Sequence, residues 1–149
     1  MNRMGKGAAA VLLVIVLALF PACAAKKDKG EPVIPENGVF RIDASGIGKG
    51  EVRFFRYETV GKGVVFFVAR SPQGDIKTAF DACITCYPHK KGYRQEEDCV
   101  VCIFCDTPFR IEELEQGKGN CVPIRIEHTL DGNAVVIERP AIEAGAAWF

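Results

Sequence analysis

The sequence predicts a mainly β domain: a small antiparallel meander and a C-terminal hairpin around a cysteine-rich, metal-binding loop region, preceded by an N-terminal signal or anchor. Three observations carry this expectation. From Val39 onward, short apolar or alternating runs recur between Gly-, Pro- and Asn-rich turns, the pattern of strands. Six of the seven cysteines fall between Cys83 and Cys121, and four of them form two Cys-x-x-Cys pairs, Cys83–Cys86 and Cys102–Cys105. The stretch from Gly7 to Ala25 contains no charged residue and follows Arg3 and Lys6.

That first stretch reads as an export signal: a basic start, an apolar centre from Val11 to Phe20, and small residues near Cys23. Leu19-Phe20-Pro21-Ala22-Cys23 resembles a bacterial lipobox, which would make residues 1–23 a leader and Cys23 the lipidated residue. An uncleaved helix is the alternative, since about 20 apolar residues span a bilayer, although Pro21 interrupts it. Both place the body of the protein at the extracytoplasmic face of a membrane. Residues 24–38 are charged and Pro-containing and read as a flexible linker, with Lys26, Lys27 and Lys29 on a solvated tether.

The folded domain is expected over 39–149. Val39–Asp43 alternates and is a short strand; Gly46 to Gly50 breaks it. Glu51–Tyr57 is a second strand. Val64–Ala69 is continuously apolar, which marks a central strand buried on both faces. Ser71-Pro72-Gln73-Gly74-Asp75 is a turn, and Ile76–Phe80 completes a meander of three or four strands ending at Cys83. Residues 81–123 read as loops. Within them, Thr107-Pro108 opens either a helical turn over 110–115 or a short strand through Phe109 and Ile111. Pro123–Glu127 and Ala134–Glu138 alternate on either side of Leu130-Asp131-Gly132-Asn133 and are expected to pair as a hairpin. Ala141–Phe149 reads as a helical turn with Trp148 and Phe149 packed back. The ten phenylalanines supply a modest core, and a domain of this size gains appreciably from a cross-link or a metal.

Charge excludes one class of function. The chain carries 19 basic and 19 acidic residues, so it lacks the basic excess of a nucleic-acid binder. No Ser–His–Asp set, phosphate loop or spaced carboxylate pair supports a hydrolase or kinase.

The cysteines carry the chemistry. Two Cys-x-x-Cys turns facing each other make a four-thiolate cage, which suits Zn²⁺, iron or an iron–sulfur cluster. The 15 residues between the pairs lie within the range of such sites. An oxidising compartment favours the competing reading, a disulfide-stapled domain without metal. Covalent haem needs His directly after the second cysteine, whereas Tyr87 and Asp106 stand there. Thioredoxin-like chemistry needs a helix after the first pair, which Tyr87-Pro88 opposes. Copper stays open, since His89 and thiolates suit it, although the sequence shows no two-His-one-Cys arrangement. His89 reads as a neighbouring or surface group rather than a ligand, His128 as exposed, and Asp81 as a turn acid or cap. Tyr93 and Phe104 read either as a shield of the site from water or as satellite core, and Glu96-Glu97-Asp98 as a solvated loop.

Phe80-Asp81-Ala82-Cys83-x-x-Cys86, Gly92-Tyr93, Val100-Val101-Cys102-x-x-Cys105, Phe109 and Gly119-x-Cys121-x-Pro123 together resemble the FtrD-like family of membrane-associated, iron–sulfur-containing proteins. The resemblance runs from about residue 40 to the end. It implies that Cys83, Cys86, Cys102, Cys105 and Cys121 hold the metal or cluster; Cys99 falls outside the motif. It also implies a membrane-tethered iron–sulfur protein that transfers electrons in iron transport or respiration, an electron carrier or binding protein rather than a stand-alone enzyme. Its partners would be membrane redox or transport proteins. A structural zinc module in a membrane-associated assembly is the alternative.

Overall fold

A computed structural model describes residues 28–116 and 121–149. The leader, Cys23, Lys26 and Lys27 lie outside the described residues, as do Gly119 and Asn120 of the motif. The architecture is mainly β, with one short α-helix.

A central sheet separates two cores. Its meander is β3 (Glu51–Thr59), β4 (Lys62–Arg70) and β5 (Ile76–Cys83), all antiparallel. β1 (Glu31–Pro32) joins the β3 edge in parallel, and β9 (Pro123–Arg125) joins the β5 edge. β4 is buried along both faces, as its uninterrupted apolar run requires. Alternation then divides its side chains: Val64, Phe66 and Val68 enter one core, Phe67 and Ala69 the other.

The first core is closed by a sheet of β2 (Val39–Asp43), β10 (Thr129–Asp131) and β11 (Ala134–Glu138), in the order β10-β11-β2. Two expectations change here. The Val39–Asp43 strand pairs with β11 rather than extending the meander. The C-terminal hairpin forms between β10 and β11, because Gly132 at φ +60° makes a two-residue turn with Asn133 between Asp131 and Ala134. Pro123–Arg125, expected to pair in that hairpin, instead lies against β5. After β11, helix α1 (Arg139–Ala144) and a 3₁₀ turn over Gly145–Trp148 pack on this core. Only glycine fits at 145, where a Cβ would stand 2.1 Å from the Phe80 ring.

The second core is closed by β6 (Tyr93–Glu96), β7 (Cys99–Cys102) and β8 (Pro108–Arg110). This sheet lies in the region read as loops. The acidic run Glu96-Glu97-Asp98 is the tight turn joining β6 to β7, with Glu97 at φ +51°. After Thr107 the chain does both things considered for it: β8 is a strand, and a 3₁₀ turn follows over Ile111–Glu113.

The packed chain begins before Val39. Within 28–38, β1 pairs with β3, Asp28 is 3.3 Å from Arg56, and Glu36 bridges Val39. Lys29 crosses the Phe54 ring at 3.8 Å from its centroid. Its ammonium meets both Asp81 oxygens at 2.7 Å and also donates to the Tyr93 carbonyl. Among the described residues, no helix is long and apolar enough to cross a membrane.

Candidate metal centre

Three separate chain segments deliver the cysteines to one end of the second core. Cys83 is the last residue of β5 and lies opposite Pro123, so the segment containing Cys121 runs directly beside it. Cys102 ends β7 opposite Tyr93. Past each strand end the chain turns tightly, which brings Cys86 and Cys105 back. The Cys86 amide donates to the Cys83 sulfur at 2.8 Å, and the Asp106 amide donates to the Cys102 carbonyl at 2.9 Å. Asp106 at φ +55° completes the second turn. Ile103 N–H donates to the Gly92 carbonyl at 2.9 Å, fixing that loop to β6.

The sulfurs of Cys83, Cys86, Cys102 and Cys121 all lie within 4.8 Å of one another. Cys121 is the hub: its Sγ stands 3.0 Å from Cys83, 3.1 Å from Cys105 and 3.5 Å from Cys86. Sequence spacing alone points to Cys83, Cys86, Cys102 and Cys105 as the cage. The structure draws Cys121 into the compact set and leaves Cys105 at its exposed rim. Cys99 is elsewhere. Three residues before Cys102 on a strand, it faces the opposite side of the sheet, where Asp98 is 3.7 Å away.

The surroundings favour thiolate at some positions and thiol at others. A hydrogen bond from Thr107, with its backbone and Cys121 assisting, draws the Cys105 thiol down to about 6 against the effect of burial. Burial pushes Cys86 up to about 12 and Cys121 well above the ordinary thiol range. Burial acts on Cys83 in the same sense, but hydrogen bonds from Cys121 and from the Cys86 amide outweigh it and leave that thiol lowered.

Tyr93 is fully buried beneath the site, and its hydroxyl donates to the Cys121 carbonyl at 2.9 Å. Phe104 is half-exposed and stacks on the His89 ring, centroids 3.6 Å apart, so His89 tops the loops from outside the sulfur group. His128 is half-buried, its Nδ1 2.9 Å from the Thr78 hydroxyl. Asp81, two residues before Cys83, is buried, and burial raises its carboxyl to about 6 even with Lys29 opposing. Gly92 makes this arrangement possible: at φ +68°, a Cβ there would stand 2.3 Å from Asp81 Oδ2. A cavity of 190 Å³ adjoins the sulfurs, with Lys29, Asp81, Tyr87 and Trp148 among its walls.

The donor set fits a thiophilic metal. Four thiolates at about 2.3 Å from one ion stand about 3.8 Å apart, and these sulfurs fall around that spacing. A cluster, which spreads its cysteines over several irons, requires the loops to stand wider or Cys105 to take part.

The fold and site define a mainly β domain whose clustered cysteines could hold a metal ion. The chain matches the family model described as "Membrane iron-sulfur containing protein FtrD-like" over residues 47–149, and it belongs to that family. No curated protein and no solved structure matches it.

Proposed function

We propose that this is a membrane-tethered, extracytoplasmic iron–sulfur protein that carries electrons for an iron-transport or respiratory partner. The observation that carries the reading is the gathering of Cys83, Cys86, Cys102 and Cys121 within 4.8 Å, with Cys105 beside them, in a chain of this family. When bound, iron held by thiolates supplies a one-electron couple. The protein's own residues set its environment. The buried ring of Tyr93 keeps water from beneath, the Cys86 amide supports charge on Cys83, and the exposed Cys105 and loop tips leave the sulfurs near the surface. Cys23, outside the described residues, is proposed as the lipidated tether. Residues 1–23 would be its leader and 24–38 the link to the membrane, the part of that link from Asp28 onward packing on the working domain of 39–149.

The compact sulfur spacing supports a second reading, a single four-coordinate ion, including structural zinc. Anaerobic purification of the full chain followed by iron, zinc and acid-labile sulfide analysis and a visible spectrum separates the two. Iron with sulfide and visible absorbance supports the cluster; one colourless zinc supports the second reading; disulfides without metal overturn both. The Cys102→Ser protein is expected to lose most of its metal, whereas Cys99→Ser retains it. Full metal content in Cys102→Ser would remove Cys102 from the ligand set.

A further inference from the structure

The two Cys-x-x-Cys loops end in exposed apolar side chains, with one face of Phe104 stacked on the His89 ring and the rest of it open to solvent. Of six large hydrophobic residues that stand exposed among the described residues, three are here: Ile84 at 60 %, Ile103 at 39 % and Phe104 at 48 %. Exposed Lys90 and Lys91 follow the first loop, where Lys90 at φ +50° turns the chain. Both line the same cavity as Phe104. Opposing charge is already engaged. Asp106, just past the second loop, pairs with Arg94 at 3.0 Å, and Asp81 pairs with Lys29. An apolar tip with an unopposed basic rim is the composition that seats a protein at an anionic membrane interface.

The route of the chain points to the same occupant. Lys29 lines this cavity too. The uncharged stretch ends at Ala25, four residues earlier, and four residues reach at most about 14 Å. A bilayer holding that stretch is therefore within reach of the loops. Lys26 and Lys27 in the intervening sequence add basic charge of the same sign.

We propose that the cysteine-loop face docks on an anionic bilayer, with Phe104, Ile103 and Ile84 at the headgroup–acyl boundary and Lys90 and Lys91 against lipid phosphates. This rests on the tether reading above. It sets the sulfur centre at the membrane surface, so that an electron-exchanging partner would be met within the membrane plane rather than in free solution.

The test uses the full chain in phosphatidylcholine vesicles, with and without phosphatidylglycerol, carrying brominated acyl chains. A reporter is placed by Phe104→Trp in a Trp148→Phe background, and a control by Leu130→Trp in the same background. Leu130 is exposed beside Ile76, at the start of β5, whereas the cysteines lie past its other end. The tryptophan at 104 is expected to be quenched at least about twofold more than that at 130, more strongly with phosphatidylglycerol, and less after Lys90→Gln with Lys91→Gln. Protein that floats with the vesicles but shows equal quenching at both positions overturns the docking and leaves the tether standing; a protein partner for this face is then indicated. Protein that does not float overturns docking and tether together, while its metal content, measured separately, still judges the electron-carrier reading. Hydrogen exchange on the unsubstituted chain checks the same point. Slower exchange across 84–91 and 103–106 on anionic than on neutral vesicles agrees with docking, and unchanged exchange overturns it.

Discussion

Lys29 shows how much one residue can settle. In the sequence it is one of three lysines in a charged stretch, and its natural reading is solvated. In the structure its ammonium sits over the Phe54 ring and closes on Asp81, 52 residues away. No local pattern announces such a partner, which is why Asp81 reads as a turn acid until the fold is known. Removing the ammonium leaves a buried carboxyl held by the Tyr93 amide, which donates to it at 2.7 Å. Lys29→Met is expected to lower stability at neutral pH by about 1–3 kcal/mol, and Asp81→Asn in that background to recover part of the loss. Urea unfolding midpoints of the single and double variants check this. The cysteines sort themselves at the same scale. Cys83, Cys86, Cys102 and Cys105 are legible because each pair is local in sequence. Cys121 is reached through the family motif, and only the fold shows it to be the hub, 16 to 38 residues from the sulfurs it meets. The exclusion of Cys99 follows from strand parity, which could have been applied had β7 been recognised.

Among the elements, the strands with strong periodicity were legible and the short ones were not. β4 declares itself by six consecutive apolar residues, and β3 and β5 by position around it. β6, β7 and β8 have four, four and three residues, and β6 carries Arg94 and Glu96 on a half-exposed edge. Their apolar signal is too short to stand out from loop. Partner choice was equally hidden, because alternation says which face of β2 or β9 is buried but not which neighbour lies beside it. The segment after the Ile111–Glu113 turn is fastened to β5 by Lys77 and Glu115 at 2.7 Å, with Arg125 of β9 at 3.8 Å. Lys77 holds the Glu115 carboxyl below its ordinary range near 4.5, so the folded protein keeps it ionised to lower pH than the unfolded chain does. That contribution is complete above pH 4.5 and is lost as the pH falls through the depressed value. Glu115→Gln is therefore expected to cost about 0.5–1 kcal/mol at pH 7 and little once the carboxyl is protonated. Denaturant melts at a series of pH values would show the two proteins converging in acid.

For the whole molecule, the central sheet is a wall with a different core on each side. The cysteine-bearing face and the face covered by β2, β10, β11 and α1 share only that wall. Metal removal under reducing conditions is expected to be felt unequally. Amide exchange should accelerate in β6–β8 and around Cys121–Pro123, while β2 and β11 keep their protection. Uniform acceleration across both faces, measured by hydrogen exchange, would show that the domain unfolds as one unit without its metal. A mainly β scaffold with a cysteine site was legible from composition and spacing. The three-layer arrangement was not, since β9 finds β5 across 40 to 46 residues of chain and β11 finds β2 across 91 to 99.

The five clustered sulfurs come from three stretches of chain, and the hub is the last of them to be synthesised. A chain that stops short of residue 121 has two open-sided turns and no centre for them to close on. Occupancy of the site would thus work as a record of assembly: a metal held by these sulfurs could be fully enclosed only after β5, β7 and β9 have all found their places. Once enclosed, such a metal would tie two loops of sequence at a single point, and the event that completes the domain would also lock it.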